Sequence, residues 1–155
     1  MTSSLVPMTE IDDILNVRIV RLAAKLSLAF QREALQPTGL TLQEWRLIFG
    51  LAQHGDNHLR GISRLIQLDP AHTSRVAQQL EENDYLRKDT DPNDSRKILL
   101  SLTQKGNESF LEIWPKAYDF SIRQKEALGT EKFAVLKSIL DDLTDYADNS
   151  LEVEY

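Results

Sequence analysis

At 155 residues the chain is sized for one domain, or one domain with a dimerising extension, and its 41% hydrophobic content can supply a core. Zero cysteines exclude disulfides, Cys-ligated zinc and thiol-based sensing, and no apolar run reaches the length of a membrane span. The net charge of −6 argues against a uniform polyanion binder, but residues 1–57 sum to −1, 58–105 to +1 and 106–155 to −6, so the excess acid is C-terminal. No signal-peptide pattern opens the chain, and we expect a cytoplasmic protein.

In chain order, Leu15, Ile19, Leu22, Leu26 and Ala29 recur at helical spacing and predict a long amphipathic helix from Glu10 to Glu33. Ile62, Leu65 and Ile66 mark one face of a short helix, ended by Gln67-Leu68-Asp69. Asp69-Pro70 then reads as a cap followed by proline at the first helical position. In the next helix only Val76, Ala77 and Leu80 read as buried, while His72, Thr73, Ser74, Arg75, Gln78 and Gln79 read as exposed. No carboxylate interrupts that helix before Glu81, and hydroxyls, amides and guanidinium are the groups that read base edges and phosphates. Tyr85–Lys88 supplies a short strand, residues 91–95 are dense in turn formers, and Ile98, Leu100 and Leu102 alternate along a return strand. Arg96 and Lys97 stand near the tip of this hairpin, and Thr103 is placed to cap the helix that follows.

That helix, from Gln104, carries Phe110, Leu111, Trp114, Tyr118 and Ile122, with Pro115 expected to kink it. A last helix, capped by Thr130, repeats Phe133, Leu136, Leu140, Leu143 and Ala147; the acidic tail from Ala147 to Tyr155 is expected to fray. Helix, turn, polar helix and charged hairpin make a winged helix-turn-helix. The fold class is therefore mainly α with a small β-wing, flanked by long terminal helices.

Residues 40–106 resemble the MarR family of bacterial transcription regulators. The likeness runs through Leu40-Thr41 with Trp45-Arg46, Ile62 with Leu65, Thr73-Ser74-Arg75 with Leu80-Glu81, Asp91-Pro92 with Asp94 and Arg96, and Leu102-Thr103 with Gly106. Asp84 stands where the family commonly has glycine, and Ser95 where a second wing arginine is common. The resemblance implies terminal helices that interlock two subunits, rather than folding back as an intramolecular bundle. It divides the chain into an N-terminal dimerisation helix (1–35), a winged helix-turn-helix (36–106) and C-terminal dimerisation helices with an acidic tail (107–155). A homodimer would space its recognition helices about 10–10.5 bp apart on a palindromic double-stranded DNA operator.

The expected DNA contacts are Pro70, His72, Thr73, Ser74, Arg75 and Gln78 on the recognition helix, with Arg64 and Lys88 at phosphates. On the wing they are Asp94, Arg96 and Lys97. Arg96 would enter a narrow A·T-rich minor groove, and Asp94 would shape the wing and orient Arg96 or Arg75. Many members of the family bind small aromatic acids, which implies an aromatic carboxylate or phenolic effector here. Arg18 and Arg21 are then candidate carboxylate anchors, with Trp45 and His58 as walls. No cofactor or metal is expected: His54 and His58 are separated by Gly55, and no nucleophile, phosphate loop or Ser/His/Asp placement suggests an enzyme. The competing readings are a winged-helix module that docks protein, and a DNA-binding regulator without a ligand.

Overall fold

The structure, a computed structural model, describes residues 14–92 and 94–152. The elements in order are α1 (Leu15–Phe30), α2 (Leu42–His54), β1 (Asn57–His58), α3 (Leu59–Leu65), α4 (Pro70–Glu82), β2 (Leu86–Asp91), β3 (Asp94–Leu102), α5 (Gln104–Leu128) and α6 (Thr130–Glu152). The expected start of the first helix at Glu10 lies outside the described residues. At its far end α1 passes into a π-turn over Gln31–Leu35 and a 3-10 turn over Gln36–Thr38. The chain forms two compact units that divide after Lys116, within α5.

Local chemistry sets most of the boundaries. Thr41 and Glu44 form a reciprocal capping box at the start of α2: the Glu44 backbone N–H donates to Thr41 Oγ1 at 3.3 Å, and the Thr41 N–H to Glu44 Oε2 at 2.7 Å. Asp69 Oδ1 accepts from the His72 N–H at 2.9 Å, and Pro70 opens α4 as expected. Thr103 Oγ1 accepts from the Gly106 N–H at 3.1 Å at the start of α5. Asp84 adopts φ 62°, the left-handed conformation that the family's usual glycine would take more easily. At α6 the cap is Gly129 rather than Thr130, because the Gly129 carbonyl accepts the first helical bond from Phe133. The tail does not fray at Ala147, since no glycine or proline interrupts α6 and it runs to Glu152. Pro115 lies inside α5, which stays helical through it.

The three strands form an antiparallel sheet in the order β1-β3-β2. The two-residue β1 has no periodicity of its own and was invisible in the sequence. Leu35, Leu47, Ile48, Ile62, Leu80, Leu86, Leu100 and Ile113 are fully buried and come from seven different segments of the first unit. Each contributes about 1.5–3 kcal/mol relative to an exposed side chain. This shared core locks α3, α4 and the sheet together. By contrast Leu15, Ile19 and Leu22 on α1 stay exposed, as do Leu136, Ile139 and Leu140 on α6.

Candidate nucleic-acid interface

The helix α4 separates cleanly into two faces. Val76, Ala77 and Leu80 are buried as the sequence implied, but so is Thr73, which has no exposed surface. Its Oγ1 donates to the Asp69 carbonyl at 2.9 Å, so the hydroxyl is satisfied within its own helix and points away from solvent. This corrects the expectation that Thr73 faces the groove. Ser74, Arg75 and Gln78 are exposed, Pro70 is exposed at the helix start, and His72 is half-buried. Gln78 Nε2 donates to Glu82 Oε1 at 3.0 Å, which aligns its amide along the helix.

The turn between α3 and α4 has a support that the sequence did not reveal. Gln67 is held at φ 51°, strained for a side chain of its size. Arg46 reaches from α2 and donates to the carbonyls of Ile66 and Gln67, while Gln67 Nε2 donates to the Arg64 carbonyl at 3.1 Å. The charged fork of Arg46 therefore fixes the angle at which α4 leaves α3. The Arg64 side chain is exposed.

The wing is built around a bulge. Thr90 pairs with Ile98 and Asp91 with Asp94, so β2 advances one residue while β3 advances four. Residues 95–97 are thereby extruded from the ladder, which throws Arg96 and Lys97 into solvent. Asp94 Oδ1 accepts from the Arg96 backbone N–H at 3.1 Å, and Oδ2 pairs with Lys97 Nζ at 3.3 Å. The Arg96 N–H and then Lys97 hold the Asp94 carboxyl below the usual aspartate range. Asp94 thus holds Arg96 by its backbone N–H rather than by its side chain. Lys88 pairs with Glu81 at 2.9 Å and braces the wing base against α4.

The four residues expected around a small molecule are dispersed. Arg18 and Arg21 line an open cleft of about 410 Å³ along α1 with Leu22 and Lys25. Trp45 is only 6% exposed and belongs to a ring cluster, stacked on Phe110 at 6.0 Å and tilted against Phe49 at 5.7 Å. Its edge lines a smaller cleft of about 200 Å³ with Arg46 and Phe49. His58 lies beside the wing instead, in a groove with Arg60, Arg96 and Lys97. Sequence reasoning did not place Arg60 or His58 near the wing, because the β1–β3 pairing that brings them there joins residues about forty positions apart.

Residues 40–114 match the model of the MarR family. A solved MarR/EmrR family transcriptional regulator from Acinetobacter sp. ADP1 is 31% identical, with a TM-score of 0.74, over 90% of this chain and 98% of that one. The HTH-type transcriptional regulator FarR of Neisseria gonorrhoeae is 25% identical over 86% of this chain and 91% of its own. BpsR of Bordetella bronchiseptica, whose DNA binding is regulated by 6-hydroxynicotinic acid, shares the fold. It has a TM-score of 0.79 and 21% identity, covering 86% of this chain and 95% of that one.

Proposed function

The chain belongs to the MarR family of transcription regulators, and from that premise we propose that it binds a palindromic operator as a homodimer and represses transcription there. It is a DNA-binding regulator and not an enzyme. The observation that carries the proposal is the exposed face of α4, where Ser74, Arg75 and Gln78 stand together with no acid before Glu81. That face exposes no large apolar anchor, which speaks against a protein-docking module. Arg75 reads base edges, Ser74 and Arg64 hold phosphates, and the extruded Arg96 reaches the flanking minor groove.

The dimer follows from the apolar surface that one subunit leaves uncovered. Leu15 and Leu22 on α1 are 51% and 54% exposed, and on α6 Leu136 and Leu140 are 38% and 47% exposed, so each of these helices carries large apolar side chains at helical spacing that a second subunit can cover. Effector control is the finer part of the proposal. The solved relative that responds to an aromatic acid supports that class of ligand, and Arg18 and Arg21 supply cations suited to its carboxylate. So open a cleft encloses a ligand only if a second subunit closes it, which ties the effector to the dimer. No helix among the described residues is long and apolar enough to cross a membrane.

The test is selection of binding sites from a random duplex pool with the protein and its Arg75→Ala and Arg96→Ala variants. We expect enrichment of a palindrome with half-sites about one helical turn apart, lost with Arg75→Ala and weakened at the flanks with Arg96→Ala. No enrichment by a folded dimer at low salt refutes sequence-specific binding. Titrating the enriched complex with aromatic acids then tests release, which Arg21→Ala should blunt.

A further inference from the structure

We infer that His58, Arg60 and Lys97, beside the minor-groove Arg96, form a seat for a DNA backbone phosphate, and that a proton on His58 strengthens it. The inference rests on the DNA-binding reading and adds to it a site and a dependence on pH. Three observations converge on one groove of about 580 Å³ between the start of α3 and the wing bulge. Arg60, Arg96 and Lys97 line it, and all three side chains reach solvent. His58 lies among them and makes two polar contacts: Nε2 is 3.0 Å from Asp91 Oδ2, and Nδ1 is 3.3 Å from the Ile98 carbonyl oxygen. Asp91 is only 13% exposed in its side chain and sits where the bulge begins, while Ile98 sits where it ends.

Both of these partners are acceptors. A neutral imidazole has a single N–H and can satisfy only one of them, whereas the imidazolium satisfies both. Protonation therefore closes a clasp across the base of the bulge, holding in place the segment that carries Arg96 and Lys97. It also adds a positive charge to the groove. Among the charged groups around the ring, Asp91 on β2 and Asp94 on β3 favour the proton. Arg60 on α3 and Arg96 and Lys97 on β3 oppose it, and a phosphate entering the groove offsets that opposition. Histidine side chains ordinarily exchange this proton between about pH 5 and 8. Phosphate contacts are blind to sequence, so the effect extends to any duplex.

The experiment measures the Kd for a fluorescent mixed-sequence duplex from pH 8 to pH 6 at constant ionic strength. The wild type is compared with His58→Gln, Arg60→Gln and His54→Gln. The wild type should tighten by about tenfold as pH falls, the effect of roughly one charge-assisted contact. The His54→Gln control should keep that rise and His58→Gln should abolish it. Arg60→Gln should lower the slope of log Kd against log salt by about one. A rise that survives in His58→Gln, or a flat wild-type profile, overturns the inference while leaving the regulator intact. Absence of binding by every protein at low salt overturns both.

Discussion

Replacing Gly106 with alanine sets two physical effects against each other. Gly106 is the third residue of α5, and helix propensity alone predicts that alanine stabilises by about 1 kcal/mol. Packing predicts the opposite. A Cβ on Gly106 would collide with the Tyr85 carbonyl oxygen and stand 3.1 Å from Leu102 Cδ2. That carbonyl cannot swing aside cheaply: it accepts from the Thr103 N–H at 3.1 Å, and the Tyr85 N–H donates to the Leu80 carbonyl at 2.8 Å. Relieving the collision by moving backbone costs about 1–3 kcal/mol, and losing the Thr103 bond about 1 kcal/mol more. Subtracting the propensity gain leaves a net destabilisation of about 1–3 kcal/mol, roughly five- to 160-fold in the folding equilibrium. Urea denaturation of both proteins at equal subunit concentration reads this directly. Because Tyr85 leads into β2, DNA affinity should also fall under conditions where the variant is fully folded. A Gly106→Ala variant as stable as the wild type, or more so, refutes the claim that close backbone approach requires this glycine.

Arg46→Met removes the donor to two carbonyls at the α3–α4 turn and should cost up to about 1.5–3 kcal/mol, less where water replaces the guanidinium; an unchanged urea midpoint would count against the brace. Thr73→Val keeps the buried shape and loses the bond to Asp69, so stability should fall by about 1 kcal/mol with DNA affinity unchanged. Affinity that collapses in a folded Thr73→Val protein would return Thr73 to the contact surface. For Asp94 the folded-state pKa is depressed, so its stabilising effect is complete above the unfolded aspartate value and is lost only as pH falls through the lower folded value. Carboxyl NMR titration should place the Asp94 midpoint below the usual aspartate range. A midpoint at or above the ordinary value would refute the grip on the Arg96 N–H and Lys97.

What the sequence determined alone was local. Helical spacing located the apolar faces of α1, α5 and α6, and capping chemistry located the starts of α4 and α5, because a cap acts over three or four residues. The turn formers and the flanking alternation placed the wing, and the absence of acid between Pro70 and Leu80 marked the candidate DNA-facing helix. Tertiary structure decided which of those residues face solvent and which meet one another. Thr73 reads as polar surface but lies on the α4 stripe with Val76, Ala77 and Leu80, where packing outweighs its one satisfied hydroxyl. Trp45 lines a small cleft and is also enclosed by Phe110 and Phe49, an arrangement that follows from the packing of α5 on α2 and from no local pattern. Arg46 braces a turn twenty residues away, and His58 meets the wing about forty residues away, through contacts that no window along the chain can span. Side chains separated by that much chain become neighbours only when the shared core closes, and so the Arg46 brace and the groove beside His58 became visible only in three dimensions.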